Sequence, residues 1–234
     1  VLKKVQKCPQ KSFKKLEQEF NLIIKKIIYL LNMVNEGNVL SYFAHPIFRY
    51  KLQNYKDHNK ELTKYIYQLY ADDKEGVKKT NINGWHSKSF DFSSKESAAF
   101  KFFNETQAYV ADVFKKYGWL YDHNKIVCNS MWSIINKKDN FNIEHTHPNN
   151  YISASYYVKA PKDCGRFVVT NPNTVNRDKF PKQVNRTELN RNIAAINVAE
   201  GDLLIFPSYL PHYVEPNKSD EDRIVVSFNI DILK

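Results

Sequence analysis

The chain has 234 residues, 42% hydrophobic and 14% aromatic, enough to bury a sizeable core in one β-rich domain with helical additions. Its 35 basic and 25 acidic side chains leave a net charge of +10, which favours an acidic partner without choosing among nucleic acid, an anionic surface and a small anion. Much of that excess is lysine scattered through an Asn- and Lys-rich chain, so a solvated surface outweighs a dedicated nucleic-acid groove. No apolar run reaches membrane-spanning length, since 22–31 is interrupted by Lys25 and Lys26, and no secretory leader is visible. Cys8, Cys128 and Cys164 form no C-x-x-C, which fits a reducing, intracellular setting. With Val1 in first place, an upstream segment is expected to have been removed.

From 12 to 35, Phe13, Leu16, Phe20, Ile23, Ile24, Ile27, Ile28 and Leu31 recur at helical spacing between lysines and glutamates, which predicts an amphipathic helix. Gly37 is placed to end it. Interspersed acids argue for packing on the domain or on a second copy of the chain rather than on a membrane. The helix is set apart as 1–38, and the rest, 39–234, is expected to hold helices over about 55–118 and a β core over about 125–234.

Residues 39–51 read as a first strand, and 59–70 as a helix with Leu62, Ile66 and Leu69 on one face. Residues 80–87 read as a loop of turn formers, in which Trp85 either anchors the loop to the core or lines a pocket rim with His86. A third helix over 98–116 offers Phe102, Phe103, Val110 and Phe114 to the core, and Gly118 closes it.

Beyond 125 the pattern turns to short extended runs punctuated by Pro, Gly, Asn and Asp: 126–136, 141–147, 152–160, 166–170, 193–198, 202–207, 213–215 and 223–232. These predict a mainly β fold with helical additions (α+β), a double-sheet jelly roll of the cupin type preceded by N-terminal helices. The strandless, basic stretch 171–192, with Arg177, Lys179, Lys182, Arg186 and Arg191, is a candidate lid.

Three histidines carry the chemistry. His145 and His147 lie two apart in a predicted strand and so share a face, and His212 follows the apolar run Leu203-Leu204-Ile205-Phe206-Pro207. Together they favour a shared metal site over surface histidines; His45, His58 and His123 have no such setting. Alternation in the last strand puts Arg223, Val225, Ser227 and Asn229 on one face and Ile224, Val226, Phe228 and Ile230 on the other. Taken alone, Arg223 after Asp220-Glu221-Asp222 reads as exposed. Its position after His212 reverses that, because a buried guanidinium needs a carboxylate and an anionic co-substrate supplies one.

The ordered series Thr80-Asn81-Ile82-Asn83-Gly84-Trp85-His86-Ser87, His145-Thr146-His147-Pro148, Ser153-Ala154-Ser155-Tyr156-Tyr157-Val158, Gly201-Asp202-Leu203-Leu204-Ile205-Phe206-Pro207-Ser208-Tyr209-Leu210-Pro211-His212 and Arg223-Ile224-Val225-Val226-Ser227-Phe228-Asn229 resembles a family of 2-oxoglutarate- and Fe(II)-dependent oxygenases of marine bacteria and their phages, related to prolyl hydroxylases. The resemblance covers about 39–233. It implies a double-stranded β-helix with His145 and His212 as iron ligands, and Arg223 on the far carboxylate of 2-oxoglutarate. Tyr157 supports that carboxylate, and Ser227 joins the co-substrate site. It further implies Fe(II), 2-oxoglutarate and O2 as reactants, and a cytoplasmic location in a bacterium or a virus-infected host cell.

One position departs from the family pattern. His147 stands where such oxygenases commonly place Asp or Glu, and Glu144, adjacent to His145, points to the opposite strand face. Either His147 ligates, or water takes its place, or the site holds Zn(II) without oxygenase activity. The expected function is hydroxylation or demethylation of a protein side chain, a small acidic metabolite or nucleic acid, with release of succinate and CO2. The rival is a non-oxidative cupin-like metal- or ligand-binding module. Expected partners are 2-oxoglutarate, that primary substrate and a homodimer partner bound through the N-terminal helix, with no membrane.

Overall fold

The computed structural model describes residues 10–32, 40–120, 122, 125–173 and 181–233. It divides into two units, Val1–Ala44 and His45–Lys234. The first holds helix α1 (Gln10–Asn32), on which Leu16, Phe20, Ile23, Ile24, Ile27, Ile28 and Leu30 are exposed. Its expected ending at Gly37 lies outside the described residues, as do Cys8, His123, Arg177 and Lys179.

The second unit is built on two antiparallel sheets. One has the order β1 (Phe48–Lys51), β9 (Asp202–Pro207), β6 (Ile152–Lys159), β11 (Arg223–Ile232), β4 (Ile126–Asn136), β3 (Trp85–His86); the other has β2 (Asn81–Ile82), β5 (Phe141–His145), β10 (His212–Val214), β7 (Phe167–Thr170), β8 (Ile193–Ile196). This is the expected jelly roll. Helices α2 (Tyr55–Asp72) and α3 (Ala98–Tyr117) pack on the larger sheet. Ser97 caps α3 by accepting a hydrogen bond from the Phe100 amide at 3.1 Å, and Gly118 ends it at φ 67°, a left-handed position that costs glycine little.

Strand alternation sorts the core into two layers. Ile152, Ala154, Tyr156 and Val158 of β6, Leu203 and Ile205 of β9, and Ile224, Val226, Phe228 and Ile230 of β11 pack towards the helices with Leu62, Ile66, Phe102 and Phe114. Their neighbours Tyr157, Leu204, Phe206 and Val225 face inward and meet Phe167 and Val169 of the second sheet. Asn59 of α2 ties the helix layer to β6, donating to the Val158 carbonyl at 2.7 Å and accepting from the Tyr156 hydroxyl at 2.5 Å. Cys128 and Cys164 are free thiols, and burial pushes Cys128 up to about 12, so it stays protonated and unreactive.

Several expected bounds shift. Among the described residues of 39–51, only Phe48–Lys51 is strand, while α2 starts earlier than expected, at Tyr55. The expected loop 80–87 contains β2 and β3, which pair with β5 and β4. Two residues are too few to show a period, so only the partner strands reveal them. Trp85 is buried in the helix-side core and donates its indole N–H to the Asp73 carbonyl at 2.7 Å, whereas His86 lines the cavity described next.

Candidate active site

A cavity of about 490 Å³ opens between the sheets. Its floor holds the inward residues of β6 and β11, Ser155, Tyr157, Arg223, Val225 and Ser227, and towards its rim stand His145, His147, His212, Trp132, His86 and Asn229. The structure thus brings every site residue expected from the sequence into one cavity.

The three imidazoles converge. Their ring centroids are 4.3 Å apart for His145 and His212, 5.0 Å for His145 and His147, and 5.1 Å for His147 and His212, and one ligating nitrogen from each lies within 4.8 Å of the others. His145 and His212 face each other across the β5–β10 ladder. His147 arrives differently from the sequence expectation. The strand stops at His145, so period-two alternation does not carry His147. Its backbone N–H donates to the Ser208 carbonyl at 2.8 Å, and its ring bonds to Asn229 of the last strand.

Each ring is oriented through Nδ1, which lies 2.8 Å from the Ile143 carbonyl in His145, 2.9 Å from the Leu210 carbonyl in His212, and 2.7 Å from the Asn229 Oδ1 in His147. Oxygens of this kind only accept, so each Nδ1 carries the proton and each Nε2 presents a lone pair. Asn229 is itself fixed, since its Oδ1 also accepts from the Ser153 hydroxyl at 2.8 Å and its Nδ2 donates to Ser130 Oγ at 3.2 Å. Burial holds His212 down to about 3 and His147 to about 4, and lowers His145 as well. All three are neutral at neutral pH, the state a metal requires. Glu144 accepts from the Thr170 hydroxyl and does not line the cavity.

Arg223 is wholly buried on the floor, with burial lowering its pKa. Nη1 donates to the Cys164 carbonyl and, at 2.8 Å, to that of Glu215, a close approach that only a glycine at 165 leaves room for. Nε and Nη2 have no protein partner, and neither does the buried Tyr157 hydroxyl. No ion pair to Arg223 occurs among the described residues. Orphaned buried donors of this strength are costly unless an anion completes them. A carboxylate matches those donors in chemistry, and the imidazole set fits Fe(II).

Residues 130–229 match the family model described as "Putative 2OG-Fe(II) oxygenase". This β-rich region belongs to the 2OG-Fe(II) oxygenases. Iron and 2-oxoglutarate are the metal and co-substrate of that family. The fold is shared with a Pseudomonas putida prolyl-4-hydroxylase (TM-score 0.58, 12% identity, 81% of this chain and 94% of that one). It is shared with a Trichoplax adhaerens prolyl hydroxylase solved with a hypoxia inducible factor oxygen degradation domain peptide fragment (0.56, 13%, 96% and 94%). It is shared also with HygX of Streptomyces hygroscopicus with nickel and 2-oxoglutarate bound (0.56, 11%, 80% and 83%). No curated protein matches the chain in sequence.

Asn229 and Trp132 are site residues that the sequence alone did not single out. Asn229 was legible only as one more inward position six residues after Arg223. Trp132 lies parallel to His86 at 5.6 Å and packs against His147 at 5.6 Å, which no spacing rule announces. The described part of the candidate lid, 171–173 and 181–192, does not line the cavity; its residues bond mainly to one another, as in Gln183 to the Asn190 carbonyl at 3.0 Å.

Proposed function

We propose that His145, His147 and His212 hold Fe(II) through Nε2, that Arg223, Tyr157 and Ser227 receive 2-oxoglutarate, and that the reaction hydroxylates, or by the same chemistry demethylates, a protein side chain. The observation that carries this reading is the pair of unpartnered donors on Arg223 and the unpartnered Tyr157 hydroxyl, buried in the same cavity as three converging neutral imidazoles. A simple metal store has no use for such a clamp, which sets the non-oxidative cupin-like module in second place. When bound, iron and 2-oxoglutarate supply the oxidising power with O2, and succinate and CO2 leave.

The chain's own residues bind, orient and exclude. Arg223 and Tyr157 anchor one carboxylate by charge-assisted hydrogen bonds, which fixes the opposite end of the co-substrate towards the imidazoles. Asn229 keeps the His147 lone pair on Nε2 and aimed at the metal. Phe167, Val214 and Val225 keep that end of the cavity poor in water. A third imidazole in place of a carboxylate leaves the centre one unit more positive, which strengthens attraction for a dianionic co-substrate.

A protein side chain is the favoured substrate because a neighbour of this fold was solved with a peptide bound; small acidic metabolites and nucleic acid are the competing classes. A second copy of the chain, held through α1, is the remaining partner in this reading. Succinate production by the Fe(II)-loaded protein under air, with 2-oxoglutarate and with peptide, metabolite or oligonucleotide panels, tests it. Zn(II) retention without any succinate would favour the non-oxidative module instead.

A further inference from the structure

Beside the active-site cavity lies a second concavity of about 600 Å³ whose lining includes Lys74, Lys78, Lys79 and Lys137 against one acid, Glu75. Lys79 lines both cavities, so the two adjoin there, and Lys88, which also lines the first, is paired with Asp73 at 2.9 Å. No Asp or Glu among the described residues lines the active-site cavity. Some lysines of the chain are neutralised by carboxylates, as Lys51 is by Asp202, Lys116 by Asp112, Lys138 by Asp220 and Lys218 by Asp139. Lys74, Lys78, Lys79 and Lys137 have no such pair among the described residues. Tyr70 instead gathers two of them, with Lys74 Nζ 3.9 Å and Lys137 Nζ 5.4 Å from its ring centroid. Four lysines gathered around a single acid raise the local potential, and an external anion relieves it.

Resting on the oxygenase reading, we propose that the primary substrate is an acidic peptide segment whose carboxylates lie along this lysine groove while the reacting residue enters the adjoining cavity. An extended peptide advances about 3.3 Å per residue, so acidic side chains a few residues from the reacting one reach successive lysines. Nucleic acid is the less fitting polyanion. Unpaired bases are held by stacking on free aromatic faces, and here Trp85 is buried while Tyr70 has Lys74 over its ring and Trp85 edge-on at 5.3 Å.

The test uses fluorescein-labelled hexaglutamate and the full chain loaded with Fe(II) and 2-oxoglutarate under argon, read by fluorescence anisotropy. The parent should bind, more weakly as salt rises. The triple variant Lys74→Glu, Lys78→Glu, Lys137→Glu should bind at least on the order of tenfold more weakly, the product of roughly two- to threefold for each exposed charge pair. Lys74→Gln, Lys78→Gln, Lys137→Gln should fall between, which guards against a folding defect of the charge-reversed protein. Unchanged affinity in both triple variants overturns the groove. A thymidine oligonucleotide of equal charge that binds more tightly than hexaglutamate, and loses that binding in the same variants, overturns the peptide in favour of nucleic acid. Succinate formed in air without primary substrate is measured on parent and variants separately; its absence from all of them counts against the oxygenase reading, while the anisotropy result still decides the groove.

Discussion

Arg223 concentrates the residue-scale argument, because a fully buried guanidinium with two unpartnered donors is stable only when an anion completes it. Arg223→Ala should cost 2-oxoglutarate binding roughly 2–5 kcal/mol while metal content stays level. Calorimetry showing parent-like affinity in that variant would take Arg223 out of the co-substrate site. At the rim, Asn229→Leu removes the acceptor that orients His147 and should weaken metal affinity on the order of 10- to 100-fold, read by Co(II) absorption titration. His147→Ala should weaken it too, whereas His147→Asp should keep iron bound by restoring the commoner ligand set. If His147→Ala binds as tightly as the parent, the centre has two histidine ligands rather than three.

At the scale of elements, strand β11 makes both layers of the fold at once, its even residues building the helix-side core and its odd residues from Arg223 to Asn229 lining the cavity. Helix α1 poses the opposite case, an apolar stripe that is exposed: Leu16 at 60%, Phe20 at 64%, Ile23 at 55%, Ile27 at 47% and Leu30 at 52% follow the alternating three- and four-residue spacing of a coiled-coil seam. Glu19 and Lys26 flank that seam seven residues apart. In an antiparallel pair of copies, Glu19 meets Lys26 of the partner subunit and the reverse, whereas a parallel pair opposes each to an apolar residue. Light scattering should therefore find a dimer, and Ile23→Lys with Ile27→Lys should return it to monomer. A monomeric parent at micromolar concentration would rule out pairing through α1.

For the molecule as a whole, the buried imidazoles couple folding to pH. His212 and His147 remain neutral in the folded chain down to about 3 and about 4, against an ordinary value of 6.5. Below about pH 6.5 the unfolded chain therefore binds protons that the folded one refuses, and stability falls as pH drops towards 4. The steepest loss is roughly 1.4 kcal/mol per pH unit for each imidazole. Thermal midpoints of metal-free protein across that window should decline, and His212→Asn should flatten the decline. A parent whose midpoint holds constant over the window would mean that these rings are not buried as neutral groups.

The sequence by itself determined the jelly-roll class, because short extended runs such as 152–160, 202–207 and 223–232, bounded by Pro, Gly, Asn and Asp, are a local property that survives without knowledge of neighbours. It also determined the ligand-type residues, since His145, His147, His212 and Arg223 are rare among so many lysines and asparagines. Tertiary structure decided what those residues share. Strands β2 and β3 exist only through β5 and β4, and His147 joins His145 through Ser208 and Asn229 rather than along its own strand. The lysine groove collects positions 74–79 and 137, which no local pattern relates. The division is physical: extended runs and their turn residues are written residue by residue along the backbone, whereas a cavity is made by side chains whose partners lie tens of residues away.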